Sequence, residues 1–190
     1  MNFALLIASV VTGAAQNSSQ ILLNTQSAES GLRNLGTSDI IVRNGLADRH
    51  PLKVSLIAAE TSTGWSYTIY IAVSELVSSA VPEGGLLLLR TKSGEVLEFR
   101  NFLAKYQSVD AVGRWIEGTA SKIYDNMAAY RVTREQLELI STGVIKLRMQ
   151  VGGGSFDTEY KKDRFGAAIA THLRVIDAEI SRNPDIRGDF

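Results

Sequence analysis

Between residues 65 and 74 the chain alternates: Trp65, Tyr67, Ile69, Ile71 and Val73 hold the odd positions, and Ser66, Thr68, Tyr70, Ala72 and Ser74 the even ones. A period of two sends one set to a buried face and the other toward solvent, the pattern of a half-buried strand. Residues 54–60 follow the same pattern. Thr61-Ser62-Thr63-Gly64 between the two runs is turn chemistry, because glycine accepts positive φ and hydroxyls bond nearby backbone. A second pair of runs, 86–91 and 95–101, flanks Lys92-Ser93-Gly94 and connects to the first through Pro82-Glu83-Gly84-Gly85. The pattern thus predicts two hairpins.

Further along, the period changes. Thr133 is placed to cap a helix, Gln136 completes a capping box, and Val132 faces Leu137 as a hydrophobic staple. Gly143 suits the position just past the helix end, with Val144 set to touch Leu139 as in a Schellman motif. A helix over 134–142 follows, then a strand over 144–150 in which Ile145, Leu147 and Met149 alternate with Lys146, Arg148 and Gln150. After Gly152-Gly153-Gly154, the stripe Phe165, Ile169, Leu173, Ile176 and Ile180 predicts a long helix over 158–181. Residues 102–126 place Val109, Val112 and Ile116 among Gly113, Gly118 and polar filler, and are read as loop. The expected fold class is α+β: an antiparallel β-sheet of about five or six strands with a long C-terminal helix packed on one face.

Composition changes the picture in a few places. A chain of 190 residues falls where one hydrophobic core is the rule. Residues 51–190 are therefore taken as a single α+β domain, and 16–50, rich in Asn, Ser, Gln and Thr, as a polar leader with one short strand at 21–23. Twenty Lys and Arg against twenty Asp and Glu leave no net field to attract nucleic acid. With no cysteine, the chain has no disulfide, thiolate nucleophile, Cys-ligated zinc or lipid-anchored cysteine. Met1 to Val11 form an uncharged, largely apolar run, and Thr12-Gly13-Ala14-Ala15-Gln16 offers small residues to a signal peptidase, giving a signal peptide over 1–15 cut after Ala15. No Lys or Arg precedes the run, and a first core strand or helix is the alternative. The run is shorter than the about 20 residues a spanning helix needs. The expected location is periplasmic or secreted.

Candidate chemistry is sparse. There is no G-x-S-x-G elbow and no H-E-x-x-H pair, so triad and zinc hydrolysis lack their motifs. His50 precedes Pro51 in a polar turn, and His172 flanks the apolar stripe of the last helix, where a boundary role outweighs a catalytic one. Gly152-Gly153-Gly154-Ser155, with Lys161 and Lys162 beyond, invites an anion reading, yet lacks P-loop spacing and is taken as a connector. Glu95, Glu98, Asp110, Glu117 and Asp125 supply carboxylates for an acid–base pair. Arg114 and Trp115 stand out as binding candidates, because Trp115 is a large aromatic outside any expected element, where it can stack on a sugar or a partner surface, although the area a Trp gains on burial favours its being tucked against the sheet. Arg187-Gly188-Asp189 in the polar tail resembles integrin-recognition sequences, and Asn17-Ser18-Ser19 matches a glycosylation sequon. No catalytic residue, metal ligand or cofactor is assigned.

Residues 130–148, from Tyr130-Arg131-Val132 through Leu147-Arg148, together with Tyr160-Lys161-Lys162-Asp163, resemble the C-terminal half of uncharacterised exported proteins of Bacteroidetes. The Ala15-Gln16 junction is similar to export signals of that group. The resemblance implies export and carries no activity or site residue. Two functions are expected from these residues: a non-enzymatic exported protein that binds or scaffolds at the cell envelope, with an envelope protein or glycan as partner, or a carboxylate-dependent hydrolase acting on glycans.

Overall fold

The computed structural model describes residues 19–27, 30–43, 51–75, 80–103, 106–116 and 119–182, and of 74–75, 106–116 and 119–125 the backbone alone. Among the described residues eleven strands and two helices follow one another: β1 (Ile21–Gln26), β2 (Arg33–Thr37), β3 (Ile40–Arg43), β4 (Leu52–Thr61), β5 (Gly64–Glu75), β6 (Leu86–Thr91), β7 (Val96–Arg100), β8 (Tyr106–Ile116), β9 (Thr119–Val132), α1 (Arg134–Ser141), β10 (Val144–Val151), β11 (Gly154–Glu159) and α2 (Phe165–Arg182). They form two antiparallel sheets. The larger runs β1-β2-β4-β5-β9-β8, with β3 also on β4, and the smaller runs β11-β10-β6-β7. The structure is thus mostly antiparallel sheet with two helices, the last of them C-terminal.

Alternation decides which faces meet. In β4 and β5, Leu52, Val54, Leu56 and Ala58 pair in register with Val73, Ile71, Ile69 and Tyr67, and all eight are buried. Directly paired residues share a face, so this is the inner face of the larger sheet. The smaller sheet contributes Leu87, Leu89, Leu97, Phe99, Leu147 and Met149, and the helices Leu137, Ile140, Phe165, Ile169, Leu173 and Ile176, to one continuous core. Helix α2 lies across β4 and β2, and α1 packs on α2.

The two sheets meet at a corner built on one side chain. Past β7, Asn101 bridges to Tyr130 of β9, and Phe102 N–H donates to Ala129 O at 3.1 Å. The Asn101 side chain is buried and fully used: its amide donates to Pro82 O (3.0 Å) and Leu103 O (3.1 Å), and its carbonyl accepts from Leu103 N–H (3.1 Å) and Ala129 N–H (2.9 Å). An asparagine offers two donors and one two-lone-pair acceptor, so no capacity is left over.

Three expectations are corrected. Residues 102–126 are not loop, since β8 and most of β9 lie there. Beyond it, β9 shows no clean alternation to read, because Ala128, Ala129 and Tyr130 are all buried, between β5 on one side and Asn101-Phe102 on the other. The last helix starts at Phe165 and spans 18 residues rather than beginning near 158. The apolar stripe also begins at Phe165, while half-buried Phe156 and Thr158 alternate with exposed Ser155, Asp157 and Glu159 as strand β11. The sheet of five or six strands is two sheets, in part because the stretch read as leader contributes β1, β2 and β3 and buries Leu35 and Val42 completely. There the Thr37 hydroxyl donates to Leu56 O (3.2 Å) and accepts from Leu56 N–H (2.9 Å), serving the backbone of β4 at the break between β2 and β3.

Other readings match the structure. Helix α1 has Thr133 and Gln136 in a capping box. At its end Gly143 takes φ +132°, and its N–H donates to Ile140 O at 3.0 Å. The second Schellman bond is replaced: Val144 N–H donates to Oδ1 of Asp163 (3.2 Å), the same oxygen that accepts from Gly166 N–H (2.9 Å) in the first turn of α2. One carboxylate thus caps one helix and steadies the exit from another.

Candidate functional site

Arg114 and Trp115 fall within β8, near the end of the β8–β9 hairpin. Strand β9 pairs with β5 from Tyr124 to Val132, and with β8 from Thr119 to Met127. From Thr119 to Ile123 its only partner among the described residues is β8, with which it forms the outer part of the hairpin. There Arg114 lies opposite Ser121, Trp115 opposite Ala120 and Ile116 opposite Thr119. The register slips between Asp110 and Arg114, and β8 is an edge strand of the sheet. An edge offers unpaired N–H and C=O groups, so such a strand gains from a partner.

The carboxylates divide between the sheets. Glu95 and Glu98 are exposed on the β6–β7 hairpin, and Glu98 pairs with Arg100 at 3.0 Å. In β8 and β9, Ser108 pairs with Asp125 and Asp110 with Ile123, which puts Asp110 and Asp125 at diagonal positions of one hairpin. Diagonal neighbours stand roughly 7–8 Å apart along the backbone. Glu117 lies outside the described residues.

His172 is wholly buried, as a core histidine rather than a boundary one. Its Nε2 stands 3.0 Å from Val54 O, and its Nδ1 2.8 Å from Ser19 Oγ. A carbonyl only accepts, so Nε2 carries the proton; in the neutral ring Nδ1 then accepts, and the Ser19 hydroxyl donates. Burial pushes the imidazole down to about 4, against a weaker upward pull from the Val54 hydrogen bond. Hydroxyl, imidazole and orienting carbonyl follow the form of an activated nucleophile. A base that protonates near 4 draws a proton poorly at neutral pH, and the ring itself has no exposure to solvent. The arrangement works as a latch, tying the segment before β1 to α2 and β4. Sequence spacing gave no signal for it, because Ser19 and His172 stand at opposite ends of the described chain.

The glycine run sits in the β10–β11 hairpin, where Val151 pairs with Gly154, Gly153 takes φ +91°, and Gly152 N–H donates to Ala80 O at 3.0 Å. It therefore stands at no helix N-terminus, which removes the geometry that the anion reading of these glycines required. His50, Asn17-Ser18 and Arg187-Gly188-Asp189 lie outside the described residues. Among the described residues no three His, Asp or Glu side chains gather as metal ligands, and no helix is long and apolar enough to cross a membrane. The chain matches no family model, no curated protein and no solved structure.

Proposed function

We propose that the protein is a non-enzymatic binding protein exported to the bacterial cell envelope, whose contact surface is the β8–β9 hairpin around Arg114 and Trp115. The edge strand carries the reading: β8 keeps one edge unpaired among the described strands, beside the residues best suited to stacking and to charged contact. The partner is an envelope protein or a glycan. The test is capture from envelope extract by the wild-type chain and by Trp115→Ala, with melting temperatures measured alongside. Capture lost in the variant at an unchanged melting temperature supports the reading; equal capture by both overturns it. Export has its own test: the secreted protein is expected to begin at Gln16, and a chain that retains Met1 counts against it.

A carboxylate hydrolase acting on glycans is the second reading, favoured by the diagonal placement of Asp110 and Asp125. It requires reducing-sugar release from a glycan mixture that both Asp110→Asn and Asp125→Asn abolish. No release by the wild type removes it.

A further inference from the structure

We propose that the outer face of the smaller sheet binds a doubly charged oxyanion of the phosphate-monoester class. The site is assembled by strand register. Lys146 of β10 lies directly opposite Arg90 of β6 on one side and Glu159 of β11 on the other. Tyr160 N–H donates to Ile145 O at 2.9 Å, which folds the chain after β11, with Lys161, back beside β10. Arg90, Ile145, Lys146, Glu159, Tyr160 and Lys161 line an open hollow of about 330 Å³.

Charge selects the ligand. The hollow holds three cations and one carboxylate, and Glu159 is already bonded to Lys146 at 2.9 Å. The side chains of Arg90 and Lys161 make no hydrogen bond or ion pair among the described residues, and Arg90 adds only a lesser charge attraction to Glu159, whose carboxyl is held low chiefly by Lys146. Like charges directly opposite one another across two strands repel, and Arg90 with Lys146 is such a pair in a chain of zero net charge. A dianion between Arg90 and Lys161 relieves that repulsion. The guanidinium fork offers two parallel donors to a tetrahedral oxyanion, and lysine adds a point charge. Ile145, 40% exposed, gives the wall an apolar patch against which the carbon part of an ester can rest. Because the groups are open to solvent and screened by salt, binding is weak, with a dissociation constant on the order of 1 mM at low ionic strength.

The test is a titration of the full chain with inorganic phosphate, followed by amide chemical shifts, with sodium chloride at matched ionic strength as control. Saturable shifts centred on Arg90, Lys146 and Lys161 are expected with phosphate and not with chloride. Arg90→Gln and Lys161→Gln, both exposed positions, are each expected to weaken binding about tenfold, while Arg148→Gln, whose native partner is Asp157, leaves it intact. In a second arm, sedimentation with phosphatidic-acid vesicles marks a lipid headgroup as the source of the phosphate; staying in solution while binding free phosphate marks a soluble ester. Shifts that chloride reproduces, or that persist unchanged in both variants, overturn the site.

Discussion

Burial keeps the imidazole of His172 neutral at a pH where a free histidine is charged, and this sets the acid limb of stability. The folded protein accepts that proton only near pH 4, the unfolded chain near 6.5. The unfolded state therefore binds more protons between these values, so the contribution is complete above 6.5 and is lost as pH falls toward 4. The gap is worth about 3 kcal/mol. Urea titrations at a series of pH values are expected to show the decline, and His172→Leu to flatten it while lowering stability at pH 7 by about 2 kcal/mol, since it strips the latch of its hydrogen bonds to Val54 and Ser19. A decline of the same size in the variant would assign the acid limb to other groups.

Helices α1 and α2 approach too closely for any side chain at Gly166: a methyl group there would stand 2.6 Å from Ile140 O and 2.8 Å from both Asp163 Oδ2 and the Cα of Gly143. Two of those neighbours are backbone atoms, so relief requires moving an element. Gly166→Ala is expected to cost about 2 kcal/mol in thermal or urea unfolding, more than the about 1 kcal/mol for Thr133→Ala, which removes only a cap. At this scale much of the fold was legible. The alternation in β5 and the capping box of α1 are local signals, and each names its own element. The described end of β9 was illegible because Ala128, Ala129 and Tyr130 are all buried, which erases the alternation, and β11 because six residues at the margin of a sheet bury only Phe156 and Thr158, and those in part. The candidate site was half legible: Arg114 and Trp115 could be named, yet the hairpin holding them depends on pairing with a strand that the pattern did not reveal. The cluster of Arg90, Lys146 and Lys161 depends on register alone, which no local window contains.

Across the whole molecule, both sheets and both helices share one core, and Asn101 fixes the corner where the sheets join. Asn101→Ala leaves the Ala129 and Leu103 amides and the Pro82 and Leu103 carbonyls without their side-chain partner. The expected loss is about 3 kcal/mol in urea unfolding, and a loss below about 1 kcal/mol would show that water replaces the side chain at the corner. Because the core is continuous, wild-type unfolding is expected to be a single transition by fluorescence and by circular dichroism. Asp163 belongs to this scale too, since its Oδ1 serves amides on both sides of the β10–β11 hairpin. In hydrogen–deuterium exchange, Val144 and Gly166 should then lose protection in step, through one opening event, and Asp163→Ala should accelerate both together. A ligand that tugs on the start of α2 would be felt at the start of β10 with no rearrangement of the core between them, which makes that pair of amides a compact reporter of strain in the protein.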